Sequence, residues 1–152
     1  EVLPAERIGV RLSPTGGPGG SYDSDPESLY TAAAEAISGR GLAYLHVVRP
    51  NDHTGDGKGK DEGNKILDKM RDAFDGVFIA NGEFTPDEAE QWVESKRADA
   101  VAFGRLYIAN PDLETRIAQG KTLNDPDSDS FYGGGYKGYT DYESLKKTRN
   151  AL

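Results

Sequence analysis

Cysteine is absent from the 152 residues, which removes disulfide scaffolds, thiolate nucleophiles and zinc-ribbon sites together while leaving the redox compartment open. Histidine is scarce: His46 and His53 are the only two, and neither has a second histidine or a cysteine at metal-ligand spacing. No apolar run approaches the ~18 residues of a membrane span, and Glu1 to Ile8 carries no signal-peptide apolar stretch. A soluble, cytoplasmic protein is the expectation. A basic surplus is missing too. The net charge is -8 and the pI about 4.8, with acids spread along the chain, which argues against a nucleic-acid backbone or an anionic membrane as partner. There is no G-x-S-x-G elbow and no Walker lysine motif, and no dinucleotide fingerprint joins a strand to a helix. Acyl hydrolase, P-loop and Rossmann readings are therefore unsupported.

What is present is a repeated alternation of strand and helix signals. Ile8 to Leu12 is a short β-prone run feeding the Gly/Pro/Ser-rich loop Ser13 to Asp25. Asp25-Pro26-Glu27 then reads as an N-cap, a proline at the first helical position and an acid in the first turn. Leu29, Ala32, Ala33, Ala36 and Ile37 follow at helical spacing up to Gly39. Ala43 to Val48 is nearly unbroken apolar sequence, as in a parallel strand buried on both faces, and Ile66, Leu67, Met70 and Phe74 mark a second helix. Val77 to Ala80 is a third strand. Thr85-Pro86-Asp87-Glu88 is a capping box opening a helix whose buried stripe is expected at Ala89, Trp92 and Val93. Ala100 to Phe103 is a fourth strand, and Asn110-Pro111-Asp112 caps a fourth helix carrying Leu113 and Ile117 and stopping at Gly120.

Four such units predict a parallel α/β sheet over residues 1–121, followed by an ordered extension over 122–152 with a glycine triplet and several tyrosines. Periodicity alone does not choose between a small doubly wound sheet and half of a (β/α)₈ barrel, which normally takes ~250 residues.

Two glycine turns stand directly after the third and fourth strands, Ala80-Asn81-Gly82 and Phe103-Gly104-Arg105. In α/β barrels the loops after the last two strands commonly bind phosphate, because glycine lets backbone N–H groups approach the oxygens. Arg105 would add a bidentate cationic clamp. Either glycine alone reads as a tight turn, and Arg105 alone as a surface residue; the pair at successive strand ends favours phosphate. Arg11 sits inside an apolar run, where a charge needs a partner. A ligand at the barrel mouth and an intramolecular carboxylate explain it equally well. His46 reads as a hydrogen-bonded core histidine. The loop Asn51 to Gly63, which holds His53, has calcium-like composition but not EF-hand spacing, and reads as solvated. Tyr132, between Phe131 and three glycines, reads from pattern alone as surface packing.

Several motifs together resemble the old yellow enzymes, flavin-dependent ene-reductases, in order and at similar separations. They are Arg7-Ile8-Gly9-Val10-Arg11-Leu12-Ser13-Pro14, Leu42 to His46, Val101 to Arg105 with Ile108 to Leu113, and Phe131 to Gly134 with Gly138 to Tyr142. The resemblance spans essentially the whole chain. It implies a (β/α)₈ TIM-type barrel of which this chain supplies strands five to eight, with FMN as cofactor and NADPH or NADH as reductant. Arg11 would lie against the pyrimidine side of the flavin ring and stabilise negative charge on it when reduced. Ala80, Asn81, Gly82, Phe103, Gly104 and Arg105 would hold the phosphate end, and Tyr132 would face an enone-type substrate.

The family's polarising His/Asn or His/His pair and its tyrosine proton donor belong to the first half of the barrel. His46 does not match that motif, so no catalytic residue is assigned in this chain. The start at Glu1 suggests a cleavage product, a split form or a trimmed form. A half barrel would leave strand edges and an inner face to be covered. The expected partner is the N-terminal half of the same barrel, separate or cleaved, or else a second copy of this chain. The competing readings are a non-catalytic half barrel that binds FMN or phosphate, and an inert structural fragment.

Overall fold

The computed structural model of the chain describes residues 3–15, 23–49, 60–131, 133 and 135–145. The chain divides into two compact units, residues 1–102 and 103–152.

In the first unit, strands β1 (Gly9–Leu12), β2 (Tyr44–Val48), β3 (Phe78–Asn81) and β4 (Ala100–Ala102) form one parallel sheet in the order β1-β2-β3-β4. Helices α1 (Pro26–Ile37), α2 (Lys60–Ala73) and α3 (Pro86–Glu94) are the successive crossovers. The strand order never reverses. A doubly wound sheet needs a reversal to place helices on both faces, whereas crossovers of one hand advancing in one direction stack all helices on the same face, as in a barrel wall.

Burial supports this arrangement. Leu45, Val47, Phe78 and Ala80 are fully buried, and with Ala34, Ile66, Leu67, Met70, Phe74, Ala89 and Trp92 they form the core. The alternate positions Arg11, Tyr44, His46, Ile79 and Asn81 are exposed or half-buried, although each lies within a strand. One face of the sheet is therefore packed by helices and the other is open, so the expectation of a second strand buried on both faces holds for only one of them.

The starts of α1 and α3 follow the sequence signals, whereas Asp112, at the start of the expected fourth helix, makes no side-chain cap bond. Asp25 caps α1 by accepting the Ser28 N–H at 3.2 Å, with Pro26 next. Thr85 Oγ1 caps α3 by accepting the Glu88 N–H at 3.2 Å. α1 ends at Ser38, followed by Gly39 at φ +70°, a left-handed position that costs glycine little. Val93 departs from its expected burial and is 41% exposed, because α3 turns only Ala89 and Trp92 inward.

The second unit contains a helix that the motifs did not reveal. α4 (Arg105–Ala109) begins directly after Gly104, ahead of the expected fourth helix, which is α5 (Leu113–Ala118). At five residues α4 is too short for apolar periodicity to register. The segments around 124 and 143 are tied to these helices. Asn110, fully buried, donates to Leu106 O and Asn124 O and accepts the Asn124 N–H at 2.7 Å. Arg116, 6% exposed, bonds Asp112, Thr122 O and Glu143 O at 2.6–2.7 Å.

Candidate functional site

The open face of the sheet is organised by register. Arg11 pairs with His46, His46 with Ile79 and Ile79 with Ala100, so these four form one row across the strands; Val48, Asn81 and Ala102 form the next. Side chains at matching register point to the same face. The sequence-predicted Arg11 and Asn81 are thereby brought together: Arg11 Nη2 donates to Asn81 Oδ1 at 3.4 Å, and Asn81 Nδ2 donates to Ala102 O at 2.7 Å. No carboxylate among the described residues pairs with Arg11. The intramolecular ion pair that competed for this arginine is thus not found, and a guanidinium stands on an open face with one long amide contact.

His46 corrects the expectation of a hydrogen-bonded core residue. It is half-buried, and its Nε2 finds no hydrogen-bond partner among the described residues. The reason is positional, since it lies on the open face rather than under the helices. Burial, and then the Arg11 charge, hold its pKa below the usual 6.5, because both disfavour a second cation there.

Ala80, predicted beside the cofactor, is fully buried on the helix-covered face, so only its backbone is available to a ligand. Gly82 follows with φ +120°, and Glu83 with φ +50°, a left-handed turn that a β-carbon at residue 82 would obstruct. Sequence reading missed what shapes this turn. Arg49, just past β2, has no exposed surface. Its Nε donates to Gly82 O, its Nη2 donates to Glu83 O at 3.0 Å, and Glu88 takes it in a bidentate pair. Its guanidinium lies 3.6 Å from the centroid of the Phe84 ring, and Phe84 meets Trp92 edge-on at 4.9 Å. Arg97, bonded to Asp68, stacks on Trp92 at 3.9 Å. The signal in the sequence was a charge directly at the end of an apolar strand, whereas Arg11 was singled out by lying inside one.

In the second unit Gly104 caps α4 and has open space where a β-carbon would stand. Arg105 is the first residue of the helix and is exposed, and Phe103 is half-buried. Gly104, Tyr107, Ile108, Pro111, Tyr139 and Thr140 line an open cavity of about 490 Å³. Tyr107 donates its hydroxyl to Glu114 at 2.7 Å, a bond that raises the tyrosine pKa and lowers that of the glutamate. Tyr132 and His53 lie outside the described residues, as does the loop 51–59. Among the described residues no group of three or more His, Asp or Glu side chains converges as a metal site, and no helix is long and apolar enough to cross a membrane.

A consecutive parallel sheet with helices on one face and the other face open is the wall of a (β/α)₈ barrel, and this chain carries part of one. Residues 1–124 match the NADH:flavin oxidoreductase / NADH oxidase family, and the chain belongs to it. It is 37% identical to 12-oxophytodienoate reductase 2 of Arabidopsis thaliana over 145 residues, which is 94% of this chain and 38% of that protein. Among solved structures it is similar to morphinone reductase (TM-score 0.81, 40% identity, 97% of this chain and 39% of that one). It is also similar to the old yellow enzyme from Trypanosoma cruzi (TM-score 0.83, 35% identity, 93% of this chain and 36% of that one). The chain spans less than two-fifths of the length of these relatives.

Proposed function

We propose that this chain is the FMN-binding half of an old yellow enzyme-like ene-reductase, which reduces activated C=C bonds with NADPH or NADH once the N-terminal strands complete the barrel. The observation that carries the reading is the Arg11 guanidinium, exposed on the open sheet face with no carboxylate partner among the described residues. Such a group fits an electron-rich ring that becomes anionic on reduction, since a fixed cation stabilises charge developing beside it. FMN, when bound, relays a hydride from the nicotinamide to the alkene. The chain's own residues bind and orient. Arg11 faces the ring, Asn81 holds the Arg11 side chain at its amide oxygen, and the backbone of Gly82 receives the phosphate end. Gly104 and Arg105 are the second unit's proposed phosphate contacts, with Phe103 beside them, and Tyr132 is the proposed substrate contact. The family resemblance supports these roles.

The open face and the outer edges of β1 and β4, which pair with no further strand among the described residues, call for cover. The N-terminal strands of the same barrel, on this polypeptide or another, are the proposed partner, and the isolated half is inactive. A visible absorption spectrum with native mass spectrometry tests the reading. Flavin and the N-terminal strands travelling with this chain, together with NADPH-dependent enone reduction, support it. A colourless chain that takes up no FMN even in the presence of those strands overturns it.

A further inference from the structure

Arg49 is buried, charged and distant in sequence from the turn it touches, and its contacts are those of a mould. Of the five N–H donors of a guanidinium, those used here hold the carbonyls of Gly82 and Glu83 and both carboxylate oxygens of Glu88. The Arg49 backbone N–H also donates to Asn81 O at 2.8 Å. Phe84 closes the face of the guanidinium. A buried charge is retained only where it is paired and bonded in this way. With all peptides trans, a carbonyl and the following N–H point in opposite directions. Drawing the Gly82 and Glu83 carbonyls onto Arg49 therefore turns the N–H groups of Glu83 and Phe84 away from the guanidinium and keeps two carbonyl dipoles from facing an anion. Gly82 completes the fit, because a β-carbon there would lie 2.7 Å from Arg49 Cγ.

We infer that Arg49 is the positioning residue of the phosphate-binding turn Asn81-Gly82-Glu83, an arginine that prepares an anion site by holding the turn's carbonyls rather than by touching the anion. This rests on the reading of that turn as a phosphate contact. Riboflavin, which lacks the phosphate, provides the discriminating probe.

Affinities of FMN and riboflavin are measured by flavin fluorescence for the barrel containing this chain and for its Arg49→Met variant. Wild type is expected to prefer FMN. The variant is expected to lose about tenfold or more of that preference, the effect of misplacing a hydrogen bond to a charged group, with riboflavin affinity little changed. If Arg49→Met does not fold, Glu88→Gln loosens the same clamp and is read by the same ratio. An unchanged preference in a folded variant, or equal loss of both flavins, overturns the positioning role while leaving the phosphate reading intact. A wild type with no preference for FMN removes the phosphate reading, and the role of Arg49 with it.

Discussion

Gly82 and Arg49 occupy one another's space: a β-carbon on Gly82 would lie 2.7 Å from Arg49 Cγ and 2.9 Å from its carbonyl oxygen. The backbone there, at φ +120°, is also one that side chains rarely adopt. Gly82→Ala therefore meets both a steric and a conformational obstacle. A loss of roughly 2–4 kcal/mol is expected in denaturant unfolding. Gly41→Ala, at φ +67° with nothing within 4 Å of the added carbon, should cost only about 1 kcal/mol. Equal costs at the two sites would mean that Arg49 yields easily.

Arg11 supplies a second prediction, conditional on flavin binding. Replacing it with Met removes the cation from the row it shares with His46, Ile79 and Ala100. The reduced flavin should lose more stabilisation than the oxidised one, lowering the two-electron reduction potential by about 30 mV or more, a factor of ten or greater in the equilibrium. A spectroelectrochemical titration reads this directly, and an unchanged potential would place Arg11 away from the ring.

The course of the strands and the caps of α1 and α3 were legible in the sequence because both depend on local chemistry. Asp25 and Thr85 accept the backbone N–H groups three residues ahead, as their positions promised. Periodicity did not choose between barrel and open sheet, since strand order is a matter of pairing across 20 to 40 residues and leaves no local trace; the motif resemblance chose the barrel, which the sheet order and the solved relatives bear out. Part of the site was hidden for a similar reason. Arg49 acts on residues 33 to 39 positions away, and its role exists only once β2 and β3 are adjacent. Within the expected extension, the segments around 124 and 143 bond to Asn110 and Arg116, contacts that connect residues 14 to 27 positions apart and leave no local trace in the sequence.

His46 gives a pH prediction whose sign follows from its lowered pKa. The folded chain holds this proton less tightly than the unfolded chain, whose histidine titrates near 6.5. Stability should therefore be level above that value and fall as the pH drops from about 6.5 through the folded pKa. His46→Gln should flatten this part of the profile. NMR titration of the imidazole provides the direct check, and a midpoint above 6.5 would contradict the placement of His46 beside Arg11.

Arg116 tests whether the second unit depends on its tail. Its guanidinium bonds Asp112, Thr122 O and Glu143 O, while Asp112 also accepts the Leu145 N–H at 2.6 Å. Arg116→Met leaves these acceptors short of a donor in a half-buried setting, at a cost of about 3 kcal/mol. Limited proteolysis should then cut between residues 122 and 145 much sooner than in wild type. The Asp112 carboxyl is held below its ordinary pKa, first by Arg116 and then by the Leu145 N–H. Its contribution is present above the unfolded carboxylate pKa and is lost as the pH falls through the folded one; in Arg116→Met that acid loss should shrink.

Gly9 and Tyr44 face each other across the first two strands, and a β-carbon on Gly9 would fall 2.2 to 2.7 Å from atoms of the Tyr44 ring. No left-handed backbone is involved at Gly9, so any cost of Gly9→Ala comes from displacing the ring. That cause can be isolated by a double-mutant cycle. If Tyr44 is the obstacle, Gly9→Ala should be destabilising in the native background and close to neutral in a Tyr44→Ala background, with a coupling on the order of 1 kcal/mol. Because Tyr44 is 38% exposed on the open face, its ring has somewhere to swing while that face is uncovered. The coupling should therefore be larger in a completed barrel than in the isolated chain, where solvent accepts the displaced ring. Equal coupling in the two forms would mean that the N-terminal strands do not pack against Tyr44.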